Sequence, residues 1–155
     1  MEDVVSHLTF SVTTGPAPED AKALRLKVFI DEQHFPASVE FDEFDAVSTH
    51  ISCYHNNQLC GYARVYNSGP DKSIFHVGRI CVPKEFRKYG IGKIVMEKAD
   101  EIIVNNGGIA SELSSQYQVQ NFYEKCGYSP EGEQYLEEGW PHIKMVKHYS
   151  IKEKP

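Results

Sequence analysis

The stretch RKYGIGKIVMEKA, residues 87–99, sets Arg87, Lys88 and Lys93 around Gly90 and Gly92 just where a helical apolar periodicity begins. Glycines let a backbone approach a ligand closely. The unpaired amides of a first helical turn point outward, and the helix dipole favours an anion there. The chemistry on offer is therefore phosphate binding. Two nucleotide loops fail on this stretch. A P-loop needs GxxxxGK[ST], but Arg87 stands five positions before Gly92 and Ile94 follows Lys93. A dinucleotide fingerprint needs GxGxxG, but Val95 occupies the third glycine position and no acid closes a following strand at the expected distance. An Arg-x-x-Gly-x-Gly turn between a strand and a helix remains.

Other chemistry-bearing residues are more dispersed. The acidic run EFDEFD supplies Glu40, Asp42, Glu43 and Asp45. Such a run is ordinarily a solvated loop; alternatively, one or two of its acids line a site that attracts a cation. HISCYHNNQLC places His50, Cys53, His55 and Cys60 within eleven positions. On a hairpin, Cys53 and His55 share one face while His50 points to the other, so they converge poorly on a metal and no metal is expected. The four cysteines form no CxxC pair and read as reduced thiols.

The elements that must position these groups follow from periodicity. APEDAKALRLKVFIDEQ opens with Pro18, Glu19 and Asp20 and continues with Ala21, Leu24 and Val28 at helical spacing. VSTHISCY and LCGYARVY flank NNQ as a hairpin, and NSGPD is a loop. SIFHVGRICV is a long strand that Pro83 stops, with Gly78 marking a bulge or a close backbone approach. A helix with Ile91, Ile94, Val95, Ala99, Ile102 and Ile103 on its apolar face ends at NNGG. IASELS is a short strand, QVQNFYEKCG a short helix capped by Gly127, and HIKMVKHY a last strand. The order α–β–β–β–α–β–α–β predicts an α/β (α+β) fold with a mixed, mostly antiparallel central sheet flanked by helices. No repeat or linker divides the chain, so residues 1–155 read as one domain.

Composition excludes some functions. Acids outnumber bases 22 to 16 for a net charge of −6, whereas a general nucleic-acid binder gains affinity from cations that neutralise phosphates. No apolar run approaches the roughly 20 residues needed to span a bilayer. MEDVVSHLTF lacks a signal-peptide core, so the expected compartment is the cytoplasm.

VPKEFRKYGIGKIVMEKA resembles the acetyl-CoA pyrophosphate signature [RQ]-x-x-G-x-[GA] of the GNAT N-acetyltransferases. NFYEKCGY resembles their later segment, in which an Asn and a Tyr precede a Gly-Phe/Tyr pair. More narrowly, KVFIDEQHFPASVEFDEFD, GYARV, VGRICV, SSQ and EEGWPHIKM are similar to the ElaA-like branch, and the likeness runs from about residue 20 to 148.

This resemblance implies the GNAT acyl-CoA N-acyltransferase fold, acetyl-CoA as co-substrate, and direct ternary-complex transfer to a primary amine of a small molecule. It places the pyrophosphate on Arg87, Lys88, Tyr89, Gly90, Ile91, Gly92 and Lys93. The pantetheine arm would run along Ile80, Cys81 and Val82, with Asn121 and Tyr123 flanking the thioester. An amine with a pKa of about 10.4 must lose a proton before attack, and the departing thiolate, of pKa about 8.5, must gain one. Tyr123 stands where the family has its general-acid tyrosine, and a backbone amide of the ICV strand would stabilise the oxyanion. Near the family's base position falls His76; the branch motif supplies His142 as another candidate, and a water chain could replace either. Glu32, Gln33, Glu40, Asp42, Arg79, Gln116 and His142 would shape the acceptor pocket, with Arg64 and Arg79 also eligible as structural partners for the acids. Alternatives are a protein lysine or amino-terminal acetyltransferase, and a non-catalytic CoA-binding module. The resemblance leaves a homodimer open.

Overall fold

The computed structural model describes residues 4–35, 41–67 and 73–149. Seven strands form one sheet in the order β1-β2-β3-β4-β5-β7-β6. They are β1 (Leu8–Thr14), β2 (Thr49–His55), β3 (Gln58–Asn67), β4 (Ile74–Cys81), β5 (Ala110–Gln116), β6 (Ser129–Glu137) and β7 (Trp140–His148). Every neighbouring pair is antiparallel except β4 with β5. The mixed, mostly antiparallel sheet matches the sequence reading, but β1 and β6 are two strands that the expected element order omits.

Helices cover both faces. Helix α1 (Glu19–Arg25) begins after Pro18 and continues as a wider π-helical segment through Leu26–Glu32. Its Ala21, Leu24 and Val28 pack on Tyr62 and Cys81. On the opposite face lies α2 (Ile91–Asn105), which buries Ile91, Val95, Met96, Ala99 and Ile103 against Ile51, Ala63 and Val65. Met96 is buried, whereas Ile94 is only half-buried, a small rotation of the expected face. Gly61 of β3 permits this contact: a Cβ there would lie 2.9 Å from methyls of both Ile91 and Val95. The short α3 (Gln120–Lys125) ends at Gly127, whose φ of +98° suits a glycine cap.

Two hairpin turns carry positive φ at both central residues, as a type I′ turn requires: Asn56-Asn57 between β2 and β3, and Glu138-Gly139 between β6 and β7. The second sets the register Glu137↔Trp140 and Tyr135↔His142. Glu137, Tyr135 and His142 therefore share one face of the sheet.

Candidate active site

A slot opens where β4 and β5 part. Their ladder consists of Ile74↔Ala110, Phe75↔Ser111 and His76↔Glu112, after which β5 runs on to Gln116 beside β7 instead. On its other edge, β4 bulges against β3 between the pairs Arg64↔Gly78 and Tyr62↔Cys81. Gly78 stands beside the bulge as the sequence suggested, but Arg79 is the residue with a left-handed backbone, at φ +54°. A non-glycine residue held there is costly and is commonly found at functional sites. The resulting cavity measures about 900 Å³. Residues 76–82 form one wall, Leu113, Ser114 and Gln116 the other, and Phe122, Tyr123 and Cys126 the floor.

At one end of the slot, Pro83 closes the strand, a 3₁₀ turn covers Lys84–Tyr89, and Gly90 takes φ +73° directly before α2. A Cβ on Gly90 would meet nothing within 4 Å, so open space lies against this backbone. Gly92 is close to α3 instead, since its Cβ would stand 3.1 Å from the Phe122 ring. Arg87, Gly90, Gly92 and Lys93 line the cavity, as does Lys125. The free first-turn amides, the dipole and these cations suit an anion, and the residues present fit a pyrophosphate. Arg87 is also structural: its Nε donates to the Val82 carbonyl at 2.9 Å and its Nη2 pairs with Glu32 at 2.8 Å. Lys88, Tyr89 and Ile91 lie outside the lining. The Lys88 ammonium sits 5.3 Å from the Tyr89 ring centroid, and Ile91 is in the core.

Tyr123 is buried on the floor, edge-on to Phe122 and Tyr128 at 5.0 and 6.2 Å between centroids. Burial pushes its phenol well above the ordinary range, so it stays protonated. Asn121 is exposed and outside the lining. His76 lines the cavity stacked on Tyr66, with centroids 5.0 Å apart, and burial lowers its pKa to about 4. His142 is buried against the stacked ring of Tyr135. Its Nδ1 donates to the Trp140 carbonyl at 2.8 Å, which leaves Nε2 facing Glu137 at 3.4 Å.

The far end is walled by Phe29, Phe35, Phe44 and Tyr66. Gln116 donates to Gln33 across it at 2.7 Å. Two acids of the run, Asp42 and Asp45, are not solvated, whereas Glu43 is exposed. Asp42 accepts from Arg64 at 2.6 and 2.9 Å and from Arg79 at 3.2 Å. Asp45 accepts from the fully buried Arg25 at 2.7 Å and from Arg64 at 3.0 Å. Burial opposes ionisation of both carboxyls, but the hydrogen bonds and charges of the arginines outweigh it and hold both pKa values below the usual carboxylate range. Asp42 lines the cavity, yet its charge is already matched by arginines, which weakens the expectation that it attracts a cationic amine. Glu40 lies outside the described residues.

Glu137 and Glu138 also line the cavity, and sequence reasoning singles out neither. Their signal is the Glu-Gly pair within EEGW, a weak hairpin cue beside Asn-Gly or Asp-Gly. The histidine–cysteine cluster has other partners: His50 bonds the Tyr62 hydroxyl and the Gly15 carbonyl, each at 2.6 Å, and the Cys53 and Cys60 sulfurs lie 3.7 Å apart. Among the described residues, no group of three or more His, Cys, Asp or Glu could hold a metal ion. No helix among them is long and apolar enough to cross a membrane.

The model of the acetyltransferase (GNAT) domain matches residues 16–149. The chain is 38% identical over 142 residues to the uncharacterized protein YyaT of Bacillus subtilis, covering 90% of this chain and 94% of that one. It is 32% identical over 126 residues to ElaA of Escherichia coli, covering 80% and 82%. The crystal structure of Escherichia coli ElaA superposes with a TM-score of 0.80 at 28% identity, over 91% of this chain and 99% of that one. An acyl-CoA N-acyltransferase from Pseudomonas aeruginosa superposes with a TM-score of 0.79 at 26% identity, over 90% and 99%.

Proposed function

The chain belongs to the GNAT family of acetyltransferases, in its ElaA-like branch, and on that premise we propose that it acetylates the primary amine of a small molecule inside the β4–β5 slot. The observation that carries this reading is the slot itself: an anion cradle at one end, a buried phenol on its floor and the aromatic rings of Phe29, Phe35, Phe44 and Tyr66 at the other end. Acetyl-CoA, when bound, supplies an activated acetyl thioester. Backbone amides of residues 90–93 with Arg87 and Lys93 would hold its pyrophosphate, and the parted edge of β4 at Ile80 and Val82 would align its arm.

Tyr123 is the proton donor to the departing sulfur. Burial makes the phenol a weaker acid, but the same dry surroundings raise the basicity of a thiolate formed beside it, which narrows the mismatch. His142 is the base. An imidazole whose pKa lies at about 4, as at His76, falls about six units short of an alkylammonium. His142 instead presents an oriented Nε2 beside a carboxylate. The amine nitrogen forms its bond to the acetyl carbon while its proton passes to His142, the carbon–sulfur bond breaks, and Tyr123 protonates the sulfur. Direct transfer is favoured because neither cavity cysteine stands as a recognisable nucleophile: burial raises the Cys126 thiol on the floor, and Cys81 is buried in the β4 wall.

The test is thiol release from acetyl-CoA with ethanolamine, putrescine, tyramine, lysine and a lysine-containing peptide. We expect turnover with at least one of the small amines, and Tyr123→Phe should lower kcat about 100-fold with little change in acetyl-CoA affinity. Turnover on the peptide alone would favour a protein acetyltransferase. Binding of acetyl-CoA with no release on any amine would favour a non-catalytic module.

A further inference from the structure

We infer that Glu137 is the positioning residue for His142, holding the ring and stabilising its protonated form, an inference that rests on the acetyltransferase reading above. Three observations converge on it. First, the type I′ turn at Glu138-Gly139 locks the register that brings Glu137 and His142 to one face, so their closeness is built by the backbone. Second, the Trp140 carbonyl takes the hydrogen on Nδ1 at 2.8 Å. In the neutral ring, Nε2 then carries a lone pair that faces the Glu137 carboxylate at 3.4 Å. Lone pair against carboxylate is a poor contact, whereas an Nε2 proton turns it into an ion pair. The arrangement therefore favours the ring after it has taken a proton. Third, exposure changes sharply across the pair: the His142 side chain is 3% exposed and that of Glu137 51%. The carboxylate thus stands at the water's edge beside a buried ring, placed to hold its charged form.

The other groups around the ring do not compete for that role. Tyr135 of β6 stacks on it, Phe35 meets it edge-on, and Gln116 of β5 stands opposite it in the register. Glu138 at the turn adds a second negative charge at the cavity. Lys144, next along that face of β7, is held by Glu112 at 3.4 Å and Glu131 at 3.5 Å. The far oxygen of Glu137 accepts from Ser114 at 3.4 Å, and Ser114 also pairs with the Tyr135 hydroxyl, so the carboxylate is anchored from β5 as well.

Glu137→Gln keeps the shape and removes the charge. Histidine-selective carbon-13 NMR of the protein without ligand reads the His142 titration, and kcat/KM against pH with the best amine of the panel reads its use. The expected result is a lower His142 midpoint in the variant. The acid limb of the rate profile should move down by the same amount, and the plateau should fall about threefold to tenfold with KM for acetyl-CoA unchanged. An unmoved midpoint overturns the inference, as does a midpoint that falls while the limb stays put. If the wild-type protein releases no thiol on any amine, the parent reading fails and the positioning role fails with it. An enzyme that does release thiol but shows no shift sinks this inference alone.

Discussion

The two ends of the cavity are built in opposite ways. The donor end comes from one nearly continuous run, residues 78–93, and works through backbone: a parted strand edge, a left-handed glycine and a first helical turn. The acceptor end draws on separated segments around residues 29–35, 42–44, 64–66, 114–116 and 137–142, and works through side chains already paired with one another. The backbone cradle and the ion-pair network therefore lie at different ends. Groups at the donor end have polar capacity left over for a ligand. Most of the polar capacity of the arginines and aspartates at the acceptor end goes to holding α1, β3 and β4 to the 42–45 segment. Among the described residues, the Arg64 Nε alone of those arginine nitrogens is buried and unpartnered.

If that division is right, damage at the two ends should look different. The largest effect belongs to Arg25→Ala, which removes a fully buried cation and leaves the half-buried Asp45 with Arg64 as its remaining partner at 3.0 Å. Breaking a buried pair outright costs about 3–5 kcal/mol; with Arg64 retained the loss lies toward the lower figure, and thermal unfolding should fall by about 6–12 °C for a domain of this size. A melting temperature within a degree or two of wild type would erase the contrast. Next comes Gly90→Val. Forcing a side chain into a left-handed backbone costs roughly 1–2 kcal/mol, and the new group enters the space beside the cradle. We expect about tenfold weaker acetyl-CoA binding by calorimetry, with a melting temperature lowered less than by Arg25→Ala; unchanged binding would detach the cradle from the glycine turn. The smallest effect is on acid stability. Asp42 and Asp45 have folded pKa values below their ordinary value of 3.8. Their contribution is therefore complete above about pH 4 and is lost as pH falls through the lowered values. Urea unfolding should show flat stability from these two groups between pH 5 and 7 and a decline below about pH 4. Asp45→Asn should make that decline shallower.

The same division explains how much can be read from sequence. A contiguous backbone site leaves its mark in a short string, so Gly90, Gly92, Arg87 and Lys93 are legible in the amino-acid order alone. So are the apolar stripe of α2 and the stop at Pro83. Side-chain sites made from distant segments leave no such string. Asp42 and Asp45 read locally as a wet acidic loop because the arginines that neutralise them lie well away in the chain; the family resemblance offers Arg64 and Arg79 as partners, as found, but nothing points to Arg25. Strand β6 is hidden for a different reason. Its sequence SPEGEQYLE contains Pro130 and Gly132 and is exposed at every position, so neither β propensity nor alternation marks it. Pairing with β7 makes it a strand, and Glu137 comes into view only with that pairing. Strand β1 is the counterexample: Leu8, Phe10 and Val12 alternate with polar residues, a legible pattern that the expected element order leaves out. His76 and His142 are both visible as histidines, but the burial of one and the carboxylate facing the other are properties of the packed chain.

The most direct measurement is amide hydrogen exchange with and without acetyl-CoA. Binding at the donor end predicts slowing of about tenfold or more at the amides of residues 90–93 and along β4 near Ile80 and Val82, with the edge strands β1 and the outer part of β6 unchanged. Protection that spares the glycine turn and β4 while appearing elsewhere would contradict it.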